Sequence, residues 1–444
     1  MKKILFLLSL PVILQTVKAQ NYFVSTVAGN GTQGLVDGPR VTTAELNWPY
    51  GLAYDGDSVV YFSDGANHCI RKISTVTNLV TTIAGSSTSG LQDGIGTAAK
   101  FNFPDDLFFR NGILYVGDNM NNCIRKIDIA TYSVTTIAGT GVAGYLDGPV
   151  NQAMFHGGNG IALAVANNGD IYVADGTNAV IRKISGGQVT TIAGTPGVFG
   201  YVDGTASSSK FHRPRYIVLD TTNGDLFITD INNNVIRKLS GGVVSTFSGT
   251  GVAGGLDGPA NTATFSAPVG ITRTYNGYFY VVDGGGNKLR KIDPTGTVTT
   301  IAGNGNFGFV DGPAASAEFY YPQDVCYDKH CYIYMADRNN NRIRRIIVPE
   351  GPAGCTNGIN ELTPYLFDVN IYPNPSQGIL NIEMPASIAR TSFHLTNVMG
   401  QLVKSGELQN GQTQTNLSDL DNGIYFIEIT EKGKTINKKI VLQK

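Results

Sequence analysis

Residues 171–194 read IYVADGTNAVIRKISGGQVTTIAG and contain three short runs of β-branched and apolar residues separated by turns. The runs are Ile171–Asp175, Val180–Ser185 and Val189–Ala193, and a fourth run, Ile161–Ala166, precedes them. Short apolar runs bounded by Gly, Asn or Asp are typical of β-strands joined by tight turns. Four such strands in one unit predict one blade of a β-propeller.

Two phrases from this stretch recur along the chain. The phrase Val-Thr-Thr-Ile-Ala-Gly, with two variants, begins at Val24, Val80, Val134, Val189, Val244 and Val298. The second phrase holds an Asp followed seven positions later by an Arg, in the pairs Asp64 and Arg71, Asp118 and Arg125, Asp175 and Arg182, Asp230 and Arg237, Asp283 and Arg290, and Asp337 and Arg344. A fixed period of this length indicates a repeat architecture.

The two ends of the repeat array are offset from each other. The chain begins with a lone fourth strand, Val24–Ala28, and its last repeat stops after a third strand, Arg342–Val348. The first strand can therefore complete the last blade, which closes the ring and removes edges that would invite aggregation. We predict an all-β fold with a six-bladed β-propeller over residues 20–348.

Segments such as Ile171–Asp175 and Ile181–Ile184 resemble the NHL repeat, and six units match it in order over about three quarters of the chain. The resemblance implies a propeller and no particular activity. The fifth unit departs from the pattern, because its Asn287 stands one position late in the phrase Asp283-Gly-Gly-Gly-Asn287.

The N-terminal residues 1–19 have the pattern of a signal peptide. Lys2 and Lys3 precede an apolar run, Ile4–Leu14, and small residues end the segment at Ala19. A run of that length is too short to cross a bilayer as a helix. We expect cleavage after Ala19, and no later run is long enough to span a membrane.

The C-terminal residues 367–444 follow a Gly- and Pro-rich linker, residues 349–366. Short alternating runs predict a small β-sandwich, with strands at Val369–Tyr372, Ile379–Glu383, Phe393–Asn397, Gly423–Thr430 and Thr435–Leu442. The phrases Ile371-Tyr-Pro-Asn-Pro-Ser376 and Lys438-Lys-Ile-Val-Leu442 resemble the C-terminal sorting domain of type IX secretion cargo. The resemblance implies the type IX machinery as a partner, transport across the outer membrane, and a secreted or cell-surface location.

Composition excludes several other classes. Among 444 residues 15% are charged and 55 are Gly, and the net charge is −1. A chain without a basic excess lacks the electrostatic footprint of a nucleic-acid-binding protein. The five cysteines are too few for a disulfide framework, although Cys326 and Cys331 flank one turn and the sequence leaves open whether they are bridged.

Residues repeated six times are better explained by a structural task than by catalysis. Each Asp–Arg pair flanks the turn between strands two and three, so we expect an ion pair across that hairpin. An Asp-Gly phrase also recurs, and there we expect the Asp side chain to bind its own turn. This second set is Asp37, Asp93, Asp147, Asp203, Asp257 and Asp311.

Residues that differ between units indicate where a ligand would bind. The loops from strand four to the next strand one have about twenty residues, and long loops in compact domains are usually functional or disordered. On the same face, most units enter their first strand through a Pro-x-Gly-like phrase. We expect the residues at its middle position to ring the mouth of the central channel: Tyr50, Asp105, Asn159, Arg215, Val269 and Gln323. The next position is Gly in three units but Asp106, Tyr216 and Asp324 in the others, and Arg213 lies nearby.

The sequence leaves three functions open. The absence of a nucleophile elbow, P-loop or dinucleotide motif favours a module that binds a glycan or peptide on its long-loop face and needs no cofactor. The alternative is a Ca²⁺-dependent hydrolase, similar to a lactonase, or a lyase, because carboxylate oxygens suit Ca²⁺ and Asp105, Asp106 and Asp324 could converge. A structural spacer without any ligand is the third.

Overall fold

The computed structural model describes residues 22–328, 332–347, 370–384, 390–397, 401–409, 411–431 and 434–444. The chain divides into two compact parts, Met1–Asn360 and Glu361–Lys444. The predicted signal segment and the predicted linker lie outside the described residues, so the predicted domain boundaries stay predictions.

The first part is all-β. Its described residues form six antiparallel sheets, which we number one to six along the chain. In strand order, sheets one to three hold Pro49–Tyr54, Val59–Asp64, Cys69–Ser74 and Leu79–Gly85; Pro104–Arg110, Ile113–Asp118, Cys123–Asp128 and Ser133–Ala138; and Ile161–Val165, Ile171–Asp175, Val180–Ser185 and Gln188–Ala193. Sheets four and five hold Pro214–Leu219, Leu226–Asp230, Val235–Ser240 and Val243–Ser248; and Pro268–Arg273, Phe279–Asp283, Lys288–Ile292 and Val298–Ala302.

Sheet six is assembled from both ends of the repeat array. Val325–Tyr327, Tyr332–Asp337 and Arg342–Ile347 supply its first three strands, and the N-terminal strand Phe23–Ala28 supplies the fourth. Val24 lies opposite Ile346 in the antiparallel register. The lone first strand therefore pairs where the repeat offset predicts.

The core lies between neighbouring sheets. Each apolar cluster of the first part draws its side chains mainly from two adjacent sheets, so a strand such as Ile161–Val165 is buried on both faces. One cluster joins sheet six to sheet one and includes Ala336, Ile343, Leu52 and Phe62. A strand with two buried faces reads as a continuous apolar run rather than an alternating one.

The long loops are structured rather than free. In five sheets a two-residue strand from the loop pairs with the outer edge of strand four, as Gly38 does with Val80. These short strands are Gly38–Pro39, Gly94–Ile95, Gly148–Pro149, Gly204–Thr205 and Gly312–Pro313. In sheet five, Gly258 makes only an isolated bridge with Val298.

Helical structure in the described residues is limited to single 3-10 turns. They are Gly65–Asn67, Gly96–Ala98, Asn119–Asn121, Gly157–Asn159, Ile231–Asn233 and Arg338–Asn340. Among the described residues, no helix has the length and apolar character needed to cross a membrane. Cys69, Cys123 and Cys326 are buried free thiols, and Cys331 lies outside the described residues.

The second part contains two further sheets. One holds Asn370–Tyr372, Ile379–Met384 and Gly411–Asn416, and the other holds Leu402–Gln409, Arg390–Asn397, Gly423–Glu431 and Lys434–Leu442. Its core includes Leu380, Phe393, Ile427 and Ile440. The sequence interpretation missed Leu402–Gln409 and Gly411–Asn416, because these strands are largely polar and give little apolar signal.

Candidate functional site

The six repeated Asp–Arg pairs are buried ion pairs. The Arg Nη1 and Asp Oδ2 atoms are 2.6–3.0 Å apart, and every one of these side chains is 0% exposed. In sheet one, the other oxygen of Asp64 accepts the backbone N–H of Asn47 in the long loop. Arg71 in turn donates to the carbonyl oxygens of Glu45 and Val36. Removing two charges from water is costly unless such hydrogen bonds compensate for it, and here they also fasten the loop to the hairpin.

The Asp of the Asp-Gly phrase differs from the sequence expectation. Asp37 accepts a hydrogen bond from Arg71 Nη2 at 2.8 Å and from the backbone N–H of Thr82 in strand four at 2.8 Å. The same arrangement recurs at Asp93, Asp147, Asp203, Asp257 and Asp311. The expectation that this carboxylate binds its own turn is wrong, because it serves instead as the second counter-ion of the repeat Arg.

The fifth repeat also requires a correction. Asn287 accepts the backbone N–H of Tyr321 at 2.9 Å, as Asn341 does for Trp48 at 3.2 Å. Asn287 is therefore in its ordinary place and does not stand late. The missing residue is the Asn three positions after the Asp, which Gly286 replaces in sheet five. In sheet one that Asn, Asn67, joins Asp64 to the carbonyl oxygen of Gly34 in the loop.

The residues expected to ring the channel lie beneath the surface. Tyr50 is 8% exposed and Arg215 is 6% exposed, and Asp105, Gln323 and Val269 are also buried. The side chain of Asn159 lies outside the described residues. Arg215 reaches across from sheet four to sheet two and forms a bidentate ion pair with Asp105. A solvated ring of polar side chains is therefore not what the structure has at this level.

Asp106 and Asp324 connect neighbouring first strands. Asp106 Oδ2 accepts the N–H of Leu163 at 2.7 Å, and Asp324 Oδ2 accepts the N–H of Leu52 at 2.8 Å. Gly alternates with these residues because the space is small: a Cβ on Gly51 would lie 2.2 Å from the carbonyl oxygen of Asp105. Packing thus explains why Gly gives way to a larger residue in alternate units.

Burial perturbs the acids of this layer. It raises the pKa of Asp324 to about 8. Burial, followed by the charge of Asp324, also raises the pKa of Asp106 well above its usual range. A carboxyl removed from water favours its neutral form.

These carboxylates do not form the ligand set that Ca²⁺ requires. Asp105 is paired with Arg215, and both oxygens of Asp106 accept backbone N–H groups from Leu107 and Leu163. Ca²⁺ takes six to eight oxygen ligands. Among the described residues, no group of three or more His, Cys, Asp or Glu side chains is arranged to hold a metal ion. Asp105, Asp106 and Asp324 do come together, but their hydrogen bonds fit a structural role better than a metal centre.

Above this layer lies a set of residues of which the sequence interpretation selected only Arg213. Five residues that directly precede a proline have left-handed backbone conformations, with φ between 52° and 65°: Trp48, Phe103, Arg213, Ala267 and Tyr321. Positive φ in a residue other than Gly costs of order 1–3 kcal/mol and is concentrated at functional sites. The proline of the repeat phrase marks each position, but the backbone strain is not visible in the sequence.

Arg338 completes this set. Its guanidinium lies 4.3 Å from the ring centre of Trp48, 4.9 Å from that of Tyr50 and 5.8 Å from that of Tyr321. Tyr321 is 38% exposed, its neighbour Tyr320 is 41% exposed, and Phe307 packs on Tyr320 at 5.5 Å. We call Trp48, Phe103, Arg213, Ala267, Tyr321 and Arg338 the mouth surface.

Comparisons with known proteins found similar proteins or families for both parts of the chain. The family described as the secretion system C-terminal sorting domain matches residues 370–443. The chain is 27% identical over 338 residues to Protein SUPPRESSOR OF QUENCHING 1, chloroplastic, of Arabidopsis thaliana, covering 70% of this chain and 31% of that protein. It is 26% identical over 296 residues to NHL repeat-containing protein 2 of Bos taurus, covering 59% of this chain and 41% of that protein.

The chain thus spans less than half the length of these curated relatives. Among solved structures, an auxiliary nutrient binding protein from Bacteroides ovatus has a TM-score of 0.56 at 21% identity, over 74% of this chain and 77% of that one. A likeness at this identity supports the fold alone. The sorting domain indicates a secreted or cell-surface protein exported by type IX secretion. The chain thus has a C-terminal secretion-system sorting domain, and its first part is similar to NHL-repeat proteins and has a propeller-like fold.

Proposed function

We propose that this protein is a non-catalytic binding module that captures a glycan at the cell surface through its mouth surface. The observation that carries the proposal is the presence of large side chains, Trp48, Arg213 and Tyr321, in left-handed conformations at one end of the propeller. Such strain persists only where the surrounding structure imposes it, which is characteristic of ligand sites.

We also infer that the six sheets are the blades of a closed ring. Phe23–Ala28 joins sheet six, and an apolar cluster joins sheet six to sheet one. The hydrogen bond from the N–H of Leu52 to Asp324 connects the same two sheets. In a closed ring the mouth surface surrounds one axis, so a single ligand can touch several blades.

The covered strand edges favour a glycan over a peptide. Peptides commonly bind by adding a strand to an exposed sheet edge. In five of the six sheets described for the first part, a short loop strand already covers the outer edge. Exposed rings such as Tyr321, Tyr320 and Phe307 instead offer flat apolar faces, and the hydroxyl groups of the two tyrosines add a polar edge, which suits ligands that have both apolar and polar surfaces.

A solved protein that shares this fold has a described binding role, which also supports a binding module. The Bacteroides ovatus protein that shares the fold is described as an auxiliary nutrient binding protein. Export by the sorting domain would place the present chain where a nutrient glycan is met. The Ca²⁺-dependent hydrolase or lyase has less support, because Asp105 and Asp106 already have hydrogen-bond partners for their carboxylate oxygens.

The test is a binding screen of the purified chain against a panel of neutral and acidic oligosaccharides, with a parallel assay for product release. We expect binding without turnover, and a loss of at least tenfold in affinity for Tyr321→Ala. Ala267 holds the equivalent place in sheet five, so the variant should fold. The matched control is Tyr275→Ala, because Tyr275 is 87% exposed in the turn between strands one and two, on the opposite face.

Three outcomes would count against the proposal. Release of a product from any bound glycan would favour the enzyme alternative. A Ca²⁺-induced rise in melting temperature that disappears in an Asp106→Asn, Asp324→Asn double variant would favour a metal in the channel. An absence of binding to every oligosaccharide would favour the spacer.

A further inference from the structure

Two groups of arginines in the propeller have opposite charge balance. Each of the six repeat arginines contacts two aspartates, and Arg215 contacts Asp105. Arg213 and Arg338 form no ion pair and donate no side-chain hydrogen bond within the part of the chain that the structure describes. Their Nε atoms are buried without a hydrogen-bond partner there, but so are those of Arg71, Arg125, Arg237 and Arg290 in the repeat network, so the difference between the two groups lies in the Nη groups.

A partly buried guanidinium without an acceptor is costly because it is charged. Elsewhere the protein supplies acceptors to the Nη groups: each repeat Arg has two carboxylates, as Arg71 does, and Arg342 has the carbonyl oxygens of Asn340 and Asn30. The Nη groups of Arg213 and Arg338 have no such acceptor among the described residues, so they are available to a partner from outside the chain.

The two guanidinium groups belong to one site. Tyr321 lies 5.8 Å from the Arg338 guanidinium, and it also acts electrostatically on Arg213. Burial and the neighbouring charge of Arg215 lower the pKa of Arg213, and Tyr321 opposes that shift. The groups acting on Arg213 thus include a second cation but no carboxylate.

The layer beneath adds little negative charge to offset them. Asp105 is committed to Arg215. Burial raises the pKa of Asp324 to about 8 and that of Asp106 well above its usual range. Near neutral pH the mouth surface therefore carries the charge of Arg213 and Arg338 without compensation.

The aromatic neighbours fix Arg338 without using its donors. The guanidinium lies 4.3 Å from the ring centre of Trp48. A cation–π contact engages the ring face and leaves the N–H groups of the guanidinium free to bind an oxyanion in a fork geometry. Held in this way, Arg338 loses little conformational freedom when a ligand arrives.

We propose that Arg213 and Arg338 form an oxyanion-binding subsite, so that the captured ligand is an anionic oligosaccharide bearing carboxylate or sulfate groups. This inference rests on the proposed glycan-binding function and names the chemical class of its ligand. The exposed faces of Tyr321 and Tyr320, which are 38% and 41% exposed, contact the sugar rings, while the two arginines contact the anionic groups.

The experiment measures binding of trigalacturonate, its methyl ester, a sulfated κ-carrageenan oligosaccharide, neutral maltotriose and a pentaglutamate peptide to the purified chain. We expect one of the two anionic sugars to bind at least tenfold more tightly than the neutral ones, and more weakly at high salt. The preferred sugar identifies whether the oxyanion is a carboxylate or a sulfate.

Variants then locate the interaction. We expect Arg213→Gln with Arg338→Gln to abolish the preference for the anionic sugar, and each single change to reduce it. Lys126→Ala, which removes an exposed cation elsewhere, should keep the preference in full. Thermal melts of all variants verify that they fold, and Arg213→Lys is a milder second variant that should keep part of the preference.

Each remaining outcome overturns something specific. If neutral maltotriose binds as tightly as the anionic sugars and depends on Tyr321, the anionic subsite is wrong and the glycan function stands. If only pentaglutamate binds through the two arginines, the subsite stands but its assignment to a glycan is overturned. If no probe binds, both proposals fail together.

Discussion

The repeat network and the mouth surface use the same side chain in opposite ways. In the network, Arg125 is fully buried between Asp118 and Asp93, with Arg–Asp distances of 2.7 Å and 2.8 Å. At the mouth surface, Arg338 stacks on Trp48 and has no carboxylate beside it among the described residues. An arginine whose charge is neutralised inside the protein stabilises the fold, whereas one whose charge is left unneutralised at the surface is available for a ligand.

The largest expected effect follows from breaking the network. Arg125→Ala leaves Asp118 buried without its counter-ion, which should lower the free energy of unfolding by about 3–5 kcal/mol. Arg338→Gln leaves no buried charge unpaired and loses only the cation–π contacts with Trp48, Tyr50 and Tyr321, so its cost should be smaller, about 1–2 kcal/mol. Urea denaturation of both variants is the measurement. Equal losses would show that the two regions do not differ in the way described.

A second prediction concerns pH. Because burial raises the pKa of Asp324 to about 8 in the folded protein, the folded state binds a proton there that the unfolded state releases near pH 4. Its contribution to stability is therefore present at low pH and is lost as the pH rises towards 8, by up to about 4 kcal/mol between pH 5 and 8.

The check is a series of melts across that pH range for the original chain and for Asp324→Asn. The variant keeps an oxygen for the N–H of Leu52 and removes the titrating proton. Its stability should fall less between pH 5 and 8. The charge of Asp324 also raises the pKa of Asp106. Removing that charge in Asp324→Asn therefore lowers the pKa of Asp106, which contributes to the same difference between the two proteins. Parallel curves for the two proteins would contradict the prediction.

The smallest expected effect tests the corrected alignment of the fifth repeat. Gly286→Asn should restore the missing amide between Asp283 and the loop, and should stabilise the protein by about 1 kcal/mol. A new Cβ would lie 3.0 Å from Asp283 Oδ2, so a small adjustment is required. Gly286→Ala is the matched control, because it adds the Cβ without the amide. If the two variants unfold at the same denaturant concentration, the amide does not join the network.

The repeated features were largely accessible from the sequence, because each one appears six times. The spacing of Asp64 and Arg71 predicted an interaction across a hairpin, and the offset ends predicted the pairing of Phe23–Ala28 with Arg342–Ile347. Polar strands such as Leu402–Gln409 escaped notice for the opposite reason. Their sequences, such as LVKSGELQ in Leu402–Gln409, mix apolar, small and charged residues without regular alternation, which is also common in loops.

The candidate site was less accessible, because it depends on which side chains meet. The sequence placed Tyr50, Asp105 and Arg215 around a channel. It could not show that Arg215 forms an ion pair with Asp105 and so fills the space between them. It also gave Asp106 and Asp324 a possible metal role, whereas the tight approach of neighbouring first strands explains why Gly and larger residues alternate there. Trp48 and Tyr321 were passed over because backbone strain has no sequence signature.

The sequence alone determined the type of strand, the number of repeats and the presence of a sorting domain, since periodic apolar runs and fixed motifs are local properties of the chain. Only the tertiary structure decided which arginines have a carboxylate beside them. Asp37 and Arg71 are far apart in the chain but lie 2.8 Å apart in space. Arg213 and Arg338 approach the same tyrosine and, among the residues that the structure describes, neither forms an ion pair with an acid. Compensation of charge is a property of spatial neighbours, and it is what separates the structural arginines from those we assign to a ligand.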